Sequence, residues 1–131
     1  MHHNDLILCT YIFSSDDDGC PVQDIYSGYD EKFNLIILLE HTDYDLSEYN
    51  CHTYAIITKH QAYRLARRLQ ASMIQLPTLV SDCVDDSYYE ITNPSIRDTR
   101  ECFTDILASL AEEKCPFRII RHPSVAGYTC Y

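Results

Sequence analysis

The run Asn34–Glu40, NLIILLE, constrains this chain's fold more than any other stretch of it. Five consecutive aliphatic residues leave a strand no polar side to turn to water, as expected of a central strand covered on both faces. The other elements have to be arranged around it. Leu6–Phe13 is rich in β-branched and aromatic residues and is bounded by SSDDDG, so it reads as a first strand. Val22–Tyr26 reads as a short edge strand and His52–Ile57 as a third long one. Phe117–Arg121 is the last strand, stopped by Pro123.

Two helices are predicted. Thr58-Lys59-His60-Gln61 fits a capping box, and Ala62, Leu65, Ala66, Leu69 and Met73 follow at helical spacing until Pro77. The opposite face of that helix carries Arg64, Arg67 and Arg68, a weak footprint for an RNA contact on so acidic a chain and read instead as a solvated face pairing with nearby carboxylates. In the second helix Asn93 is the expected cap and Pro94 suits the first turn. Its apolar stripe is Ile96, Cys102, Phe103, Ile106, Leu107 and Leu110. Residues 78–90 are ambiguous, with a short strand expected at Tyr88–Thr92. The expected fold is α+β: a mostly antiparallel four-to-five-stranded sheet with two helices packed on one face, in a single domain 1–131. The helix before the last strand allows that strand to run parallel to a neighbour.

Charge divides the chain sharply. Residues 1–58 hold 11 carboxylates against one base, Lys32, whereas residues 59–131 are neutral, so the whole net charge of −10 sits in the first part. Such a balance speaks to partners and solubility rather than to fold. It argues against a broad phosphate-tracking surface for nucleic acid and against anionic membranes. Seven cysteines, an odd count with no C-x-x-C spacing, fit a reducing cytoplasm better than a disulfide scaffold. The apolar run Leu6–Phe13 lacks a basic flank and a small-residue cleavage site, so it reads better as a first strand than as a signal peptide, and no run approaches the length expected of a transmembrane helix.

Familiar catalytic signatures are missing. Three scattered glycines supply neither a P-loop, nor a dinucleotide fingerprint, nor a nucleophile elbow. Ser14-x-Asp16-x-Asp18-Gly19 begins like a calcium loop, but the twelfth position is Ile25. His41, Asp43, Cys51, His52 and His60 are the richest set of metal-ligating side chains, yet Cys51 and His52 would point to opposite faces of a strand. Cys83 stands among Asp82, Asp85 and Asp86, which raise a thiol's pKa and disfavour a thiolate. No cofactor, metal or catalytic residue is assigned.

The remaining signal is tyrosine set among acids. Eleven tyrosines stand against no tryptophan, and tyrosine offers rigid contact area with a polar tip. Carboxylates around it steer a basic partner. The partner-binding face is placed on Asp16, Asp17, Asp18, Tyr29, Asp43, Tyr44, Asp45, Glu48 and Tyr49, in connections that reach beyond the sheet. In size, acidity and expected location the chain resembles bacterial toxin-immunity proteins and phage inhibitors of host nucleases. That resemblance implies a small non-catalytic protein that inhibits a basic partner, a toxin or nuclease. The alternatives are a small cysteine- or histidine-dependent enzyme or metal-binding protein, and a self-associating structural subunit.

Overall fold

The computed structural model describes residues 1–15 and 21–131. Five strands, β1 (Ile7–Ser14), β2 (Val22–Tyr29), β3 (Leu35–Thr42), β4 (Cys51–Ile57) and β5 (Arg118–His122), form one antiparallel sheet in the order β1-β2-β3-β4-β5. The α+β reading is therefore correct. β3 lies in the middle and is buried along almost its whole length, as its sequence requires. Leu35, Ile37 and Leu39 join the main core under the helices, while Ile36 and Leu38 form a second cluster with Leu6 on the other face.

Four helices follow β4: α1 (Lys59–Arg68), α2 (Leu76–Ser81), α3 (Asp86–Tyr89) and α4 (Ile96–Glu112). Thr58 caps α1, its Oγ1 accepting from the Gln61 N–H at 3.3 Å, and the Lys59 N–H donates to Asn34 Oδ1 at 3.1 Å. That helix stops well before Pro77. Gln70 takes a left-handed φ of 55°, and the Ala71 N–H closes back on Ala66 O at 2.9 Å, the backbone turn that ends a helix. Pro77 instead enters the first turn of α2, where its missing N–H does no harm. Met73 lies between the two helices.

The expected strand at Tyr88–Thr92 is absent. Asp85 accepts from the Ser87 N–H at 2.9 Å and starts the single turn α3, which overrides the β-propensity of two tyrosines. α4 is capped two residues later than expected, by Ser95 in a full capping box with Asp98; Asn93 takes a left-handed φ of 52° outside the helix. β2 is internal rather than an edge strand, and it runs three residues further than read from the sequence.

β5 runs antiparallel to β4, with Arg118 opposite Ile56 and His122 opposite His52. The helical excursion thus begins and ends at the same end of the sheet, which fixes the direction of β5. The core between the helices and the sheet is filled by Phe103, Ile106 and Leu110 of α4, Leu76 and Val80 of α2, and Ala62 and Leu65 of α1.

One close approach positions the N-terminal segment. Gly28 of β2 has no Cβ, and a Cβ there would lie 2.9 Å from both Ile7 O and Leu6 Cβ. The irregular start of β1, with Leu8 at φ 55° and register shifts against β2, lies against Gly28. This brings Leu6 onto Ile36 and Leu38 and carries residues 1–5 across the face away from the helices.

Candidate functional site

Two constellations stand out, one at a loop and one on the sheet face away from the helices. The loop is the acidic connection between β3 and β4. Asn50 Oδ1 accepts from the Asp43 N–H at 2.7 Å, and Asp43 Oδ1 accepts from the N–H groups of Asp45 and Leu46 at 3.0 and 2.8 Å. A 3-10 turn, Ser47–Tyr49, follows. The Ala126 N–H from the C-terminal tail donates to Glu48 O at 3.1 Å, and the Tyr49 ring meets Tyr128 edge to face. These bonds hold the loop in one shape. On it Tyr44 is 77% exposed, and Asp45 and Glu48 of the same loop are exposed as well.

Beside the loop, Pro21, His41, Leu46, Tyr49 and Tyr128 line a shallow groove of about 310 Å³. His41 forms its inner wall. Gln23 Nε2 donates to His41 Nδ1 at 2.9 Å. Burial, reinforced by the Arg100 guanidinium, holds the imidazole below its ordinary pKa, with Asp43 acting in the opposite sense.

The structure brings together Asp43, Tyr44, Asp45, Glu48 and Tyr49 of the sequence-predicted face. Asp16, Asp17 and Asp18 lie outside the described residues. Tyr29 does not belong with them. It is 1% exposed, packs in the main core and donates its hydroxyl to Met73 O at 2.5 Å. Its hydrophobic ring outweighed its place next to a loop. Other acids and tyrosines of the sequence pattern are likewise occupied by the fold. Asp30 Oδ1 accepts from the Lys32 and Asn34 N–H groups, both at 2.9 Å, and shapes the β2–β3 turn. Tyr88 donates to Asp105 and Tyr89 to Ile12 O, with both rings against Phe13.

The second constellation was not legible as a cluster in the sequence. Cross-strand register places Asp24, Glu40, His52 and His122 in one row on the face away from the helices. The N-terminal segment lies over this row. The His3 N–H donates to Glu40 Oε1 at 2.6 Å, and His3 Nδ1 lies 2.8 Å from the same oxygen. His2 Nε2 is 3.5 Å from Glu40 Oε2, and the His3 ring stacks on Tyr26 at 4.4 Å. His2, His3 and Glu40 each offer a ligand atom within 4.8 Å of the others. The Met1 ammonium donates to His52 Nε2 at 3.0 Å, and the His52 ring stacks on His122 at 4.5 Å. Burial, then the ammonium and His122, push the pKa of His52 down to about 4. Burial also raises that of Asp24, with Glu40 adding to it and the Ser14 hydroxyl and His3 opposing it.

The metal-ligating residues read from sequence do not converge. His41 and Cys51 face the helices, His52 faces the other way, and His60 is exposed on α1. Cys51 packs beside Cys130, and burial together with that neighbour raises its pKa to about 12. The Cys83 thiol is raised by burial and then by Asp82 and Glu113, the direction the sequence implied. Arg64, Arg67 and Arg68 are exposed, and among the described residues they make no carboxylate pair, the one ion pair of an arginine or lysine there being Arg97–Glu101. No described helix is long and apolar enough to cross a membrane.

Comparison of the chain with protein-family models, with curated proteins and with solved structures found no match.

Proposed function

We propose that this is a small, non-catalytic, cytoplasmic binding protein that inhibits a basic partner protein, of the kind that an immunity protein or a phage inhibitor forms with a nuclease-like toxin or nuclease. The observation that carries the reading is Tyr44, 77% exposed on a loop braced by Asp43 and Asn50 that also exposes Asp45 and Glu48. A loop already ordered loses little further freedom on binding, so its contact area converts efficiently into affinity. Its carboxylates steer a cationic surface, and a nuclease must carry such a surface to hold phosphates. Tyr44 is the anchor, and Tyr49 supports it from the groove side.

Association kinetics with basic nuclease domains encoded near its gene test this. Replacing Asp43, Asp45 and Glu48 together by Asn, Asn and Gln keeps the Asp43 turn acceptor while removing the charge. Association should slow and lose its salt dependence. Tyr44→Ala or Tyr49→Ala should speed dissociation, a loss of about 1–4 kcal/mol for an anchor. Unchanged binding by the triple variant at low salt, with failure of a variant reversed at Arg64, Arg67 and Arg68, would place the interface on α1 instead.

A further inference from the structure

The geometry around Glu40 points to a binding site for a zinc ion on the sheet face away from the helices, with His2, His3 and Glu40 as its ligands; we propose that the chain takes up one such ion per molecule. The Glu40 side chain is 8% exposed, and among the described residues its ion-pairing partners are two imidazoles, with no lysine or arginine among them. A carboxylate in such a place has to be paired to be tolerated. Asp24 sits directly opposite it in the β2–β3 register, and like charges in that relation repel. The need for a cation is therefore built into the sheet, and the chain answers it with nitrogen ligands.

The donor set selects the ion. Two imidazoles and a carboxylate suit zinc and its late first-row neighbours, whereas calcium and magnesium take oxygen ligands. The two rings approach different oxygens of Glu40, at 3.5 Å for His2 Nε2 and 2.8 Å for His3 Nδ1. Tetrahedral zinc, with bonds of about 2.0–2.2 Å, sets its ligand atoms about 3.3–3.5 Å apart. One ligand atom from each of the three residues lies within 4.8 Å of the others, so side-chain adjustment of about an ångström brings the set to this spacing on a single carboxylate oxygen. The His3 N–H already orients the carboxylate at 2.6 Å, as outer contacts of metal ligands do. Three protein ligands leave one position for water.

Ligation has a local consequence. The Asn4 N–H donates to His2 Nδ1 at 3.2 Å. A neutral ring bound through Nε2 carries its proton on Nδ1, so the Asn4 N–H must let go. Its amide resonance therefore reports ligation, independently of affinity.

The test is calorimetric titration of Zn²⁺ into the untagged full chain, beside His2→Gln, His3→Gln, Glu40→Gln and the control His60→Gln. One ion per chain is expected, with a dissociation constant below about 0.1 mM. Each ligand variant should weaken it at least about tenfold, with His60→Gln unchanged. Zinc should raise the melting temperature of the parent and of His60→Gln only, and should shift the Asn4 amide in both. His2 and His3 are the more exposed ligands, so their variants carry the test if Glu40→Gln fails to fold. No binding at that concentration, or binding that His2→Gln and His3→Gln leave intact, overturns the site.

Discussion

Replacing Gly28 by alanine tests how the N-terminal segment is seated. The added methyl group would lie 2.9 Å from Ile7 O, 2.9 Å from Leu6 Cβ and 3.3 Å from Cys9 Cα. All three atoms move only with the backbone, so no change of rotamer relieves the clash. Two effects oppose one another. Alanine in a strand is ordinarily favoured over glycine by about 0.5–1 kcal/mol. Forcing an extra carbon into a packed site costs about 1–3 kcal/mol. The clash wins, leaving a net loss of about 1–2 kcal/mol. For a chain of this size that lowers the melting temperature by about 3–10 °C. In urea the midpoint should fall with an unchanged slope. Gly127→Ala is the contrast: nothing lies within 4 Å of its Cβ, and its φ of +83° alone carries a cost of about 1–2 kcal/mol. A Gly28→Ala protein as stable as the parent would refute the crossing of residues 6–9 over β2, and with it the placement of His2 and His3 over Glu40.

Phe103→Ala should be the most damaging of the simple truncations, at about 3–5 kcal/mol in chemical denaturation, because its ring is wholly buried under α4. Tyr29→Phe should lose about 0.5–1.5 kcal/mol with its bond to Met73 O and leave partner binding untouched. Ser95→Ala should remove about 0.5–2 kcal/mol by uncapping α4, measured as a shift in the urea midpoint. His41 supplies a pH dependence. Its pKa is lowered in the fold, so below its ordinary pKa of about 6.5 the unfolded chain binds a proton that the native one refuses. Its contribution is complete above that pH and declines as the medium is acidified. Denaturation between pH 7.5 and 5.5 should therefore show the parent losing more stability than His41→Gln.

Sequence reading succeeded where one residue pattern had one physical solution. NLIILLE could only be a covered strand, and the stripe from Ile96 to Leu110 could only be a helix against a core. It failed at boundaries, where two local rules competed. Pro77 reads equally as the end of one helix or the first turn of the next, and the left-handed turn at Gln70 decided it. The loop residues Tyr44, Asp45 and Glu48 were legible because a polar, acidic connection has to reach solvent. Tyr29 was misplaced because its charged neighbours lie beyond the strand end while its own ring faces the core. The Glu40 cluster stayed hidden because its members come from positions 2, 3 and 40, and only the β2–β3 register with the crossing at Gly28 brings them together.

The helical excursion that leaves and rejoins the sheet at one end also dictates an order of assembly. β1 to β4 are linked by short connections, so their pairings close small loops, whereas β5 can meet β4 only after residues 58–117 have been gathered in. Closing the longer loop carries the greater entropic penalty, and rates fall as contacts become more distant in sequence. The four-stranded meander is thus the natural nucleus, and β5 with the C-terminal tail docks late. Substitutions in β3 should slow refolding, while those in β5 should speed unfolding and leave the refolding rate nearly unchanged.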